Sequence, residues 1–298
     1  MSIVPLPEHA IDTPLPGAFQ DRARRCAPAR RVPVFAGTQG GTGMQATARI
    51  AGKVRSMGRP HWLGFFGLVL GAWGLLFAMQ MPPEMAAAVR LGGAAWWEAL
   101  CAPAPGLSGA GAVFAMWALM SAAMMAPSAL PAFATYDDLG AAGAAGLGAL
   151  VAGYLAVWLG FAALATAAQV GLASLGLVTA LGESVSRPLT AGLLAAAGLW
   201  QFSPLKEACL SRCRRPLAFF MAHWAQGPWR MGLRLGLVCL GCCWALMALA
   251  FVGGTMNLIW MGAAMVLMTL EKLPELGRAL TRPLGAALLG AAAVALLA

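Results

Sequence analysis

The run GLVCLGCCWALMALAFVGGTM (236–256) contains no charged side chain and is 21 residues long. A helix rises about 1.5 Å per residue, so a run of this length crosses the roughly 30 Å hydrocarbon core of a bilayer. Within that core every backbone N–H and C=O must find a partner inside the protein. That leaves helices or a closed barrel as solutions, and continuous apolar runs select the helix. Comparable runs cover about 62–81, 111–131, 147–170, 189–202, 235–252, 256–270 and 284–298. The chain is 60% hydrophobic and only 10% charged, where soluble domains carry about a quarter charged residues. The expected fold is an all-α polytopic transmembrane bundle of about seven spans. Six spans, with the last run lying on the surface, is the alternative.

Residues 1–60 are different material. They are rich in Pro, Gly and Arg, and hold nine Lys/Arg against three acids. We read them as a poorly ordered basic tail preceding a helical membrane domain over 61–298. With that tail cytoplasmic, eighteen Lys/Arg fall in cytoplasmic segments, and only Arg90 and Arg187 fall outside. This is the positive-inside pattern for seven spans with the N-terminus in. The formal charge of +9 therefore follows the membrane and does not imply a nucleic-acid partner. Trp96 and Trp97 suit the bilayer interface, and Gly67 with Gly71 forms a small-xxx-small pair that suits helix packing.

Five of the seven cysteines lie between 209 and 243. On a helix Cys239, Cys243 and Met247 share one face, with Cys242 beside them. Cys209 and Cys213 share a face of the preceding segment, where Arg212, Arg214 and Arg215 favour thiolate. Thiolate and thioether sulfur is the ligand set that selects Cu(I), with Zn²⁺ as the alternative ion. Met116, Met120 and Met124 form one methionine stripe and Met261, Met265 and Met268 another. Either stripe alone is explained by packing, since Met fills gaps in cores. Beside the cysteines they suggest a thioether path.

The candidate metal ligands are Cys209, Cys213, Cys239, Cys242 and Cys243, supported by Met120, Met124 and Met247. Isolated Cys26 and Cys101 read as small apolar residues. Glu271 and Lys272 read as an interfacial anchor, Asp137 and Asp138 as a solvated turn, and His223 as structural, within an interfacial stretch over 217–229. No Walker A, HExxH, GxSxG or dinucleotide fingerprint occurs, so hydrolytic, phosphoryl-transfer and ATP-driven chemistry finds no support.

Three blocks, MWALMSAAMMAPSALP (116–131), WQFSPLKEACLSRCRRPLAFF (200–220) and GLVCLGCCWALMALAFVGGTMNLIWMGAAMVLMTLEK (236–272), resemble the bacterial family of predicted metal-binding integral membrane proteins. The resemblance covers about 110–282 and leaves the tail and the last run outside. It implies a multi-pass protein of the bacterial inner membrane that handles a metal, with a protein partner such as a metallochaperone. The functional expectation is therefore soft-metal handling or delivery. The same cysteines also fit a membrane thiol–disulfide oxidoreductase, and, if they merely pack, a non-catalytic assembly subunit.

Overall fold

The computed structural model describes residues 60–80, 107–140, 143–179, 181–273 and 276–297. The tail, Cys26, Arg90, Trp96, Trp97 and Cys101 lie outside the described residues. The elements are α1 (Pro60–Gln80), α2 (Leu107–Ser128), α3 (Leu130–Asp138), α4 (Gly143–Ser174), α5 (Arg187–Gln201), α6 (Pro204–Cys213), α7 (Pro216–His223), α8 (Gly227–Ala248), α9 (Ala250–Gly253), α10 (Leu258–Lys272) and α11 (Leu276–Leu297). Among the described residues there is no strand, only an isolated bridge between Val178 and Ser184.

Five segments are long and apolar enough to cross a membrane: His61–Met79, Gly109–Ser128, Gly143–Ser174, Pro216–Gly253 and Leu276–Leu297. Helices α5 and α10 have 15 residues each. That is about 22 Å, short of the hydrocarbon thickness. Several helices extend beyond the apolar runs read from sequence: α8 begins at Gly227 rather than near 235, and α11 at Leu276 rather than near 284. The extensions carry Arg230, Arg234, Arg278 and Arg282. A charge ends a hydropathy window but not a hydrogen-bonded helix, because arginine stems lie along apolar surface and carry their heads to the interface. With 22 residues α11 is longer than the fifteen-residue apolar run read from sequence.

Helices α4 and α8 meet backbone to backbone. A Cβ on Gly232 would stand 2.1 Å from the Leu150 carbonyl oxygen, and one on Gly153 would stand 2.4 Å from that of Trp229. A Cβ on Gly236, one turn beyond Gly232, would stand 2.9 Å from Val157 Cβ and 3.0 Å from the Tyr154 carbonyl oxygen. The working small-xxx-small pair is thus Gly232/Gly236. Gly67 and Gly71 have open space where a Cβ would stand. The two motifs look alike in sequence, and only the neighbouring helix distinguishes them.

Proline shapes the first helix pair. Pro127 lies inside α2 and lacks the N–H that would bond the carbonyl four residues back. That carbonyl, on Ala123, accepts instead from the Trp73 indole of α1 at 2.9 Å. The α3 turn docks the other end of α1, since Asp137 accepts from Trp62 Nε1 at 3.0 Å and lies 3.3 Å from His61 Nε2. Asp137 is therefore a helix-docking residue, contrary to the solvated-turn reading. His223 is structural, with Nδ1 2.8 Å from the Phe219 carbonyl.

Helix α9 ends at Gly253, where a side chain would collide with the Trp260 ring, and Gly254 turns the chain at φ 87°. Its neighbour α10 then runs back beside α2 and reaches α6. At that meeting Lys206 Nζ pairs with both Glu271 carboxylate oxygens at 3.1 and 2.9 Å, and each side chain is 1% exposed. Arg214 Nε adds a bond to the Glu271 carbonyl at 3.0 Å, and its Nη1 one to Glu207 at 3.2 Å. Glu271 is thus a buried tie between α6 and α10, which corrects its reading as an interfacial anchor.

Candidate metal centre

Cys239, Cys242 and Cys243 lie on consecutive turns of α8 and are fully buried. Their sulfurs all fall within 4.8 Å of one another, with Cys242 and Cys243 Sγ 3.2 Å apart. Three sulfurs around one ion at about 2.3 Å each would be separated by about 4 Å, so small rotamer shifts close this cluster on a single metal. The thiol of Cys242 also donates to the Cys239 carbonyl at 3.1 Å, which orients it on the helix.

Helix α6 brings the second pair of cysteines alongside. Ser203 caps it, accepting from Leu205 N at 3.2 Å, and Pro204 opens it. Cys209 Sγ stands 2.7 Å from where a Gly241 Cβ would be, so the absence of a side chain on α8 admits it. Cys213 lines the same cavity as Cys239. All five thiols are free. Burial pushes the Cys209 thiol above its ordinary range, outweighing the opposing pull of Arg212. The expectation that the arginines make it a thiolate is corrected there. Arg214 spends its charge on Glu207 and the Glu271 carbonyl.

Three residues not anticipated from sequence complete the surroundings. Lys272 Nζ donates to Cys239 Sγ at 3.1 Å and to Ser128 Oγ at 2.6 Å. It is buried at the thiol cluster, which corrects its reading as an interfacial anchor. The Tyr154 hydroxyl lies 3.0 Å from Cys239 Sγ and donates to the Met125 carbonyl at 3.0 Å. The chain has only two tyrosines, and Tyr154 falls in the middle of an apolar run. A phenol there needs a polar partner, a signal that could have pointed to the site. Lys272 gives no such signal, because a lysine at the end of a membrane helix ordinarily reaches water.

Met120, Met124 and Met247 are buried in the same core. Met125 joins the edge of the site, its sulfur 3.9 Å from Ser128 Oγ, and Met116 Sδ accepts from Thr255 at 3.7 Å. A cavity of about 170 Å³ reaches Cys239, Cys213, Tyr154 and Lys272.

No curated protein and no solved structure matches the chain. A family match runs over residues 114–295 and so takes in most of the last run, about 284–298, which the resemblance read from sequence left outside. That match spans more than half of a chain whose buried thiol cluster suits a soft metal, and the protein belongs to the PpoB2 family, described as copper chaperone.

Proposed function

We propose that this protein is a membrane-embedded Cu(I) carrier that takes the metal at Cys239, Cys242 and Cys243 and passes it to a protein partner. The observation that carries the reading is the buried three-sulfur cluster with an ammonium against it. A buried ammonium is costly without a negative partner, by several kcal/mol. Among the described residues the hydrogen-bond acceptors of Lys272 are a hydroxyl and a sulfur. A Cu(I)–thiolate complex carries net negative charge and supplies that partner. Cys213 and Cys209 serve as exchange ligands from α6, and Met120, Met124 and Met247 as weak thioether positions. The membrane topology that accompanies this reading has seven spans with a cytoplasmic N-terminus in the bacterial inner membrane. The eighteen-to-two split of basic residues supports it.

The test is anaerobic purification in detergent, elemental analysis, and thiol counting before and after reductant. Stoichiometric copper, lost in a Cys242→Ser/Cys243→Ser double variant, is the expected result. Zinc in place of copper would refute the metal assignment. Metal-free protein with a reducible interhelical disulfide would replace metal carriage with thiol redox chemistry.

A further inference from the structure

The cavity beside the cluster has a chemistry of its own. Of the three clustered cysteines only Cys239 lines it, together with Cys213 from α6. Two basic side chains, Lys272 and Arg214 (whose Nη1 bonds Glu207), and three hydroxyl side chains, Ser128, Tyr154 and Thr269, complete its polar wall. Among its described lining residues there is no carboxylate. Lys272 spends two of its donors on Ser128 and Cys239. Arg214 is buried, and its Nη2 has no hydrogen-bond partner among the described residues. At about 170 Å³ the space resembles cavities that hold a benzene-sized guest.

We infer that this cavity is an exchange chamber for an anionic thiolate ligand that carries Cu(I) to or from Cys239. This rests on the copper reading above and adds the class of donor. In this scheme copper arrives as a complex with two thiolates, and a chamber lined by Lys272, Arg214 and sulfur suits one that also bears a carboxylate. The step is ligand exchange: Cys239–SH + RS–Cu–SR⁻ → Cys239–S–Cu–SR⁻ + RSH. One Cu–S bond forms and one breaks, the thiol proton leaves with the departing thiol, and copper stays monovalent. A second exchange with Cys242 or Cys243 releases the remaining thiol and completes transfer into the buried cluster. Cys213, which lines the same cavity, is placed to hold the ion between the two exchanges.

Full-length protein in detergent is mixed anaerobically with Cu(I) complexes of mercaptoacetate, 2-mercaptoethanol or cysteamine at matched free Cu(I). These thiols are similar in size and differ in charge. Uptake is followed by Cu(I)–thiolate absorption in a stopped-flow instrument. Mercaptoacetate is expected to load the protein faster than cysteamine, by on the order of tenfold for a charge acting at this range. The ratio should fall towards one in Lys272→Gln. Ala132→Leu, which fills the chamber without touching charge or sulfur, should slow all three donors.

Arg212→Gln/Arg215→Gln changes exposed cations outside the chamber and should leave the ratio intact. Equal rates from the three donors with normal final copper content would overturn the chamber and leave the copper site standing. Loss of the ratio in the surface double variant would assign it to long-range steering and overturn the chamber equally. No copper from any donor would overturn the site itself. A copper-loaded acidic CxxC peptide, run in parallel, separates the two sources of anionic thiolate: faster loading from it assigns the chamber to a protein's cysteine, slower loading to a small thiol.

Discussion

Lys206→Met is the most informative perturbation of this fold. It removes the ammonium from a pair in which both side chains are 1% exposed, and leaves the Glu271 carboxylate buried. At about 3 Å and an effective dielectric near 20, the attraction between the two charges is about 5–6 kcal/mol. Desolvating each ion costs several kcal/mol, so the intact pair roughly breaks even against an apolar substitute, while a broken pair costs about 3–5 kcal/mol. Lys206→Met and Glu271→Leu should therefore each destabilise by that amount, and the double variant should recover most of it.

Unfolding in mixed micelles by denaturing detergent, followed by tryptophan fluorescence, measures the cycle, and the coupling energy is the quantity that isolates the pair. Because Lys206 sits one turn from Cys209 and Glu271 sits next to Lys272, copper content should fall in the single variants and return in the double. Additive losses, with the double variant no better than the sum of the singles, would refute the buried tie between α6 and α10.

The helix contacts and the site make further predictions. Gly232→Ala places a methyl 2.1 Å from the Leu150 carbonyl, which is rigid backbone, so α8 must move off α4. A loss of about 1–3 kcal/mol is expected by the same unfolding assay, while Gly67→Ala should be neutral. Tyr154→Phe removes the hydroxyl shared by Met125 and Cys239, and should cost about 1 kcal/mol in stability together with a weaker hold on copper by chelator competition. Cys209 should react slowly with maleimide at neutral pH. Its thiol is pushed up by burial, so thiolate accumulates, and the rate climbs, only as pH passes above the ordinary thiol range. A fast neutral-pH reaction at Cys209 would show that Arg212 wins over burial.

The all-helical class, with helices long and apolar enough to cross a membrane, was legible from apolar run length, because a bilayer imposes one length scale and one hydrogen-bonding rule on any chain that crosses it. The three-sulfur cluster was legible for a related reason: Cys239, Cys242 and Cys243 lie within one helix, whose period brings them together wherever the helix sits. Helix ends were less so, since α8 and α11 run through arginines that close a hydropathy window.

What lay beyond sequence depends on which helix stands opposite. Gly232 and Gly67 belong to the same kind of motif, and only the presence of α4 makes one a contact. Glu271 and Lys272 end their helix as an anchoring pair would. The arrival of α6 turns Glu271 into the partner of Lys206, and Lys272 reaches Ser128 at the end of α2 and Cys239 on α8. Local periodicity sets the faces that a helix offers and the thiols it carries. The charge beside those thiols, and the cavity that reaches Cys239, come from packing between residues far apart in the chain, which no local pattern encodes.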